Sequence, residues 1–183
     1  MPDVRHVKRW TLEFTAAPSL LTQNSTERVA IDWLQNISND RFLDLYTRVG
    51  GPWNWFDRRM MPPAELARLL QEPARAVGLL KSSAAGEDGF TETIRQSDSE
   101  LEIAYFGLFP ECTGRGFGPK LLTSVLKWAI DTSHQDNPRI WLTTCEWDSP
   151  AALPFYQQMG FQISSEDMVE QRVPEGFGSA DFR

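Results

Sequence analysis

Within the stretch ECTGRGFGPKLL (111–122), three of the chain's 12 glycines fall in five positions: Gly114, Gly116 and Gly118. Glycine weakens regular structure, because its backbone loses more freedom on folding than any other residue's. A cluster beside a helix start therefore marks a backbone that turns sharply or that a ligand approaches closely. The chemistry on offer is anion binding. Successive backbone N–H groups at a helix N-terminus suit a pyrophosphate, and Arg115 adds positive charge. The plain alternative is a strand-to-helix turn with no ligand. Two familiar phosphate loops fail on spacing. A P-loop needs a Gly-Lys dipeptide and the chain has none, while a dinucleotide loop begun at Gly114 and Gly116 would place its third glycine at Pro119.

A second candidate is Glu102, the one carboxylate within the apolar run LEIAYFGLF (101–109). Burial would raise its pKa toward a value useful to a general base. The alternative is a strand-end glutamate facing solvent, since the polar QSDSE lies beside it. Cys112 adjoins the glycine loop, but a cysteine nucleophile wants a nearby base and only His6 and His134 exist. The same scarcity of His and Cys argues against a zinc site, and no metal is expected. Trp53 and Trp55, in PWNWF, could wall an apolar or cationic acceptor or simply pack the core.

These residues need elements to position them. A chain of 183 residues has room for one domain with a real core. Its 41% hydrophobic and 23% charged residues are ordinary for a soluble globular protein. A net charge of -7 excludes the basic footprint of a nucleic-acid binder. No run of 18 apolar residues exists to span a membrane. MPDVRHVKRW lacks the apolar middle of a signal peptide, and two cysteines make no disulfide framework. The expected setting is cytoplasmic, with neither nucleic acid nor membrane as partner.

Along the chain, partial alternation suggests a strand over 4–14, and a patchily helical pattern runs from 26 to 49. GGPWNWF breaks it, and PPAELARLLQ (62–71) reads as a helix with proline at its start. Strands follow at 75–81 and 90–96, joined by the hairpin-like SSAAGEDG. The strand at 101–109 is apolar on both faces and so should be central. Leu121, Leu122, Val125, Leu126, Ala129 and Ile130 form a helical stripe. A strand at 139–147 precedes a helix over 149–161, kinked or restarted at Pro154 and closed by Gly160. FQISSEDMVEQRV alternates into a last hairpin, and the tail PEGFGSADFR is loose. The fold class is α/β, a mixed sheet with helices packed against it.

The strand, loop and helix together resemble the signature of the GNAT superfamily of N-acyltransferases, Gln/Arg-x-x-Gly-x-Gly/Ala. Here it reads Thr113-Gly114-Arg115-Gly116-Phe117-Gly118: Thr113 departs from the usual Gln or Arg, while Gly116 and Gly118 match. DSPAALPFYQQMGF resembles the second signature at Ala152, Tyr156, Gly160 and Phe161, with Asp148 and Ser149 where an asparagine is common. The resemblance covers about 75–165. It implies one GNAT-like domain over 1–183: a central, mostly antiparallel sheet flanked by helices, with a splayed pair of parallel strands.

It further implies acetyl-coenzyme A as cosubstrate, with its pyrophosphate on the loop from Thr113 to Gly118 and Ser149 beside it. The pantetheine arm would run along Phe106 to Leu108, where a strand N–H polarises the thioester carbonyl and Gly107 forms a bulge. Glu102 would be the general base and Tyr156 the acid. The acceptor would be the amine of a small molecule or a protein, and a homodimer is compatible with this reading. Two rivals stay open: a non-catalytic acyl-coenzyme A binding or sensing domain of the same fold, and a partner-binding module with a degenerate loop.

Overall fold

Residues 3–16, 30–82, 86–135 and 137–177 are described by a computed structural model. The chain forms seven strands: β1 (Asp3–Phe14), β2 (Ala30–Leu34), β3 (Arg75–Lys81), β4 (Gly89–Ser97), β5 (Glu100–Leu108), β6 (Arg139–Cys145) and β7 (Phe161–Val173). They form one sheet in the order β2-β3-β4-β5-β6-β1-β7. Only the β5–β6 pairing is parallel; β1 lies antiparallel between β6 and β7. The sheet is thus mixed and mostly antiparallel.

Helices cover it on two sides. α1 (Asn39–Gly50) and α2 (Pro63–Leu70) enclose a cluster with Phe42, Leu45, Tyr46, Val77, Leu79 and Phe90. α3 (Phe117–Asp131) and α4 (Ala152–Gln158) pack through Leu121, Leu122, Val125 and Tyr156 against Leu101, Ile103, Ile140 and Leu142. Each fully buried Leu or Phe here contributes about 1.5–3 kcal/mol of hydrophobic stabilisation.

Three expectations change. The patchy helix over 26–49 resolves into β2 and α1, with residues 26–29 outside the described ones. Asn36, at φ +53, breaks the chain, and Ser38 restarts it by accepting the Arg41 N–H at the helix N-cap. The expected terminal hairpin is one continuous strand, β7. It contains no Gly, Pro or Asn to make a turn, and β1 pairs it from end to end. α4 begins at Ala152, not at 149, so Pro154 sits in the first turn, where its missing N–H has no intrahelical acceptor to lose. No kink follows. Only 174–177 of the expected loose tail are described.

The strand bulge also lies elsewhere. Glu92 pairs Tyr105 and Thr93 pairs Ile103, leaving Ala104 as the extra residue of β5. Gly107 pairs Phe90 regularly, and it is glycine for another reason: a Cβ there would lie 2.2 Å from Cγ1 of Val49. α1 can approach β5 only over that missing side chain. Val49 is stiff and buried, so Gly107→Ala should cost about 1–3 kcal/mol of stability by overpacking, measured by denaturant unfolding. An unchanged midpoint would show that α1 has slack.

Candidate active site

β5 and β6 pair from Glu100↔Arg139 to Ile103↔Leu142 and no further. β5 then continues against β4, and β6 against β1. The gap opens into a cavity of about 610 Å³. The Phe109 N–H donates to the Asp88 carbonyl at 2.7 Å, which fixes the alternation of backbone groups along β5. Gly107 turns toward β4, so the N–H and C=O of Phe106 and Leu108 face the gap. Both residues line the cavity, and the Phe106 ring stacks on Phe155 of α4 at 6.3 Å.

After β5 a 3-10 turn, Pro110–Cys112, leads into the glycine loop; the Thr113 hydroxyl closes it by donating to the Pro110 carbonyl at 2.8 Å. Gly114 and Gly116 have φ of +70 and +77, a conformation that excludes most side chains. Gly116 is the N-cap of α3 and no side chain caps it. The first N–H groups of α3 have no intrahelical acceptor, and the helix dipole favours an anion there. A Cβ on Gly114 or Gly116 would meet nothing within 4 Å, so the space above the loop is open. A Cβ on Gly118 would touch the Phe155 ring at 3.5 Å.

Thr113, Gly114, Gly116 and Gly118 line the same cavity as Phe106 and Leu108, and Ser149 joins them from the turn before α4. Arg115 and Phe117 do not line it. The Arg115 guanidinium lies 4.9 Å over the Phe117 ring, and that ring packs against the core.

The two expected proton carriers line this cavity as well. Glu102 is half-buried and accepts from Nε2 of Gln96 at 2.8 Å. Burial, helped by the nearby Glu92 charge, pushes its pKa above the usual carboxylate value, against the opposing hydrogen bond from Gln96. Tyr156 is buried on α4, and among the described residues its hydroxyl has no hydrogen-bond partner. Burial first, and then the negative charge of Asp148, push its pKa above that of a free phenol. It is therefore protonated at neutral pH and able to donate.

Trp55 both packs and lines the cavity. Its ring lies 4.9 Å from Tyr105 and 5.4 Å from Tyr46, and its Nε1 donates to Asp148 at 2.9 Å. Asp148 also accepts from the Thr144 hydroxyl and the Cys145 N–H, so it fastens the loop after α1 to the turn before α4. Trp53 lines the cavity too. Burial pushes the Cys112 thiol up and the Cys145 thiol up to about 12, which leaves both poor nucleophiles. No group of three His, Cys, Asp or Glu among the described residues could hold a metal, and no described helix is long and apolar enough to cross a membrane.

The sequence profile of the Acetyltransferase (GNAT) family matches residues 32–161. The chain belongs to this family. Acyl transfer is the activity that membership supports.

Solved structures agree on the fold. A conserved protein of unknown function from Staphylococcus epidermidis superposes with a TM-score of 0.58 at 14% identity, over 90% of this chain and 60% of that one. A protein assigned to the GNAT family from Novosphingobium aromaticivorans gives 0.58 at 13% identity, over 92% and 65%. The chain thus spans less than two thirds of either. A chimera of the Vibrio cholerae spermidine N-acetyltransferase gives 0.58 at 15% identity, over 80% of this chain and 95% of that one. No curated protein matches the sequence.

Within the GNAT cavity, several residues escaped the sequence reading. Asp57 accepts from the Tyr105 hydroxyl at 3.3 Å and from Nε2 of Gln171 at 2.6 Å. Tyr105 shares a sheet face with Glu102 only because the Ala104 bulge shifts the alternation, which no residue type announces. Glu92 had a signal: in FTETIRQ it shares the phase of Phe90 and Ile94, the core side. It is fully buried between Arg58 (3.0 Å) and Arg75. Glu92→Gln leaves two largely buried guanidinium groups short of a carboxylate. It should cost about 3 kcal/mol or more in urea unfolding, whereas a change under about 1 kcal/mol would mean that water already compensates the pair.

Proposed function

We propose that the protein transfers an acetyl group from acetyl-coenzyme A to the primary amine of a small molecule or a protein. The observation that carries this reading is one cavity uniting the free backbone edge of Phe106 and Leu108, the open glycine loop, and Glu102 with its raised pKa. Acetyl-coenzyme A fits the loop because its pyrophosphate needs N–H donors and room: the uncapped start of α3 offers the donors, and Gly114 and Gly116 leave the room. The extended pantetheine amides suit a strand edge that lacks its partner.

In this mechanism the amine nitrogen attacks the thioester carbonyl, the C–N bond forms and the C–S bond breaks. Glu102 accepts the proton that the amine must lose. A backbone N–H on the free edge of β5 stabilises the oxygen as it gains charge. Tyr156 gives its proton to the departing thiolate.

Acetyl-coenzyme A should raise the melting temperature of the protein. Gly116→Val puts a β-branched side chain at φ +77 and fills the open loop, so it should abolish that shift. A folded variant that binds as tightly would remove the loop from phosphate binding.

Turnover, read as thiol release across an amine panel, should fall by about 10²-fold or more in Glu102→Gln and in Tyr156→Phe, with coenzyme A affinity little changed. A base works only when deprotonated, so unaltered protein should lose activity as the pH drops through the raised Glu102 pKa. Glu102→Gln should flatten that acidic limb. Full activity in either variant would take that residue out of the mechanism, and coenzyme A binding with no thiol release for any amine would contradict catalysis.

A further inference from the structure

Arg9 stands on β1 opposite Cys145 of β6 and Asp167 of β7, and its side chain lines the main cavity together with Glu102. Both residues also line a second cavity of about 550 Å³ farther along β1 and β6. Among the described residues the Arg9 guanidinium makes no hydrogen bond and no ion pair, and its Nε is buried without an acceptor. The neighbouring arginines differ. Arg58, in the main cavity, is held by Glu92, and Arg139, in the second, by Glu13 and Glu100. Trp141, which lines the second cavity, likewise has a buried Nε1 without an acceptor.

A buried donor left unpaired costs about 1–3 kcal/mol, and more when it is charged. Among the described residues no carboxylate forms an ion pair with Arg9: its cross-strand neighbour Asp167 accepts from Ser165, Glu102 is bonded by Gln96, and Asp57 by Tyr105 and Gln171. The lining of the cavity therefore presents both a base for an amine and a cation with no counter-ion. A planar guanidinium matches a carboxylate.

We propose that the acceptor is a small amino acid, whose carboxylate pairs with Arg9 while its amine faces Glu102. This inference rests on the transfer reading above. A plain alkylamine or polyamine would satisfy Glu102 and leave Arg9 unpaired. Arg9 is then a specificity-determining residue, and the reaction is N-acetylation of an amine that carries its own anion.

The test compares glycine, β-alanine and γ-aminobutyrate with methylamine, ethylamine and propylamine, their matched amines without the carboxylate. Thiol release from acetyl-coenzyme A is the readout. At least one amino acid should exceed its partner by about tenfold or more in kcat/KM, chiefly through KM, the worth of a charge-assisted hydrogen bond. Arg9→Gln should collapse that ratio and Arg9→Lys should restore part of it. Equal or better turnover of the alkylamines, or a ratio that survives Arg9→Gln, would overturn the inference and leave the transfer reading standing. Should Arg9→Gln not fold, propionate serves with the unaltered protein: competition against the amine supports the anchor, and its absence contradicts it. Thiol release with none of the six while another amine is acetylated would overturn this inference and leave the transfer reading standing.

Discussion

The parallel ladder between β5 and β6 stops at Ile103 and Leu142, and from there the two strands pair with different neighbours. A sheet interior normally leaves no backbone group without a partner. Here the N–H and C=O of Phe106 and Leu108 are left facing a cavity, and the rest of the site is arranged around them. The glycine loop lies just past the end of β5, so a ligand held along the strand edge reaches the N-terminus of α3. The turn before α4 follows β6 on the other side of the gap and brings Ser149 and Tyr156 into the same cavity. Were the ladder to continue, neither the free edge nor the cavity would exist.

Electrostatics reinforce the geometry. Burial holds the Glu102 pKa up; the charge of fully buried Glu92 pushes the same way, while its partners Arg75 and Arg58 push against it. Asp148, bonded three times over, fixes Trp55 against the aromatic wall and adds negative charge near Tyr156. One carboxylate is thereby made a better proton acceptor at neutral pH, and the phenol stays a donor. Both shifts come first from burial, with like charge second.

Much of this was legible in the sequence where the signal is local. The stripe on α3 and the strands β3 to β6 are set by neighbouring residues, and they appear close to where the pattern places them. What the sequence hid depends on contacts between distant segments. The Ala104 bulge is set by pairing with β4, and no residue type marks it. Gly107 looked like a bulge and is instead the clearance for Val49. The cavity also joins Arg9 of β1, Asp57 of the loop after α1, Glu102 of β5 and Gln171 of β7, segments that no local pattern relates. Only Glu92 could have been found earlier, from its phase along FTETIRQ.

The central claim is that the parted strand edge and the glycine loop form one binding surface for an acyl thioester of coenzyme A. The most direct measurement titrates coenzyme A into ¹⁵N-labelled protein and follows the backbone amides of Phe106, Leu108, Gly116 and Gly118. All four should shift together along one saturation curve, while amides of β2 and α2 stay in place. Saturable binding that leaves Phe106 and Leu108 unmoved would contradict the account, because the ligand would then lie somewhere other than the gap between β5 and β6.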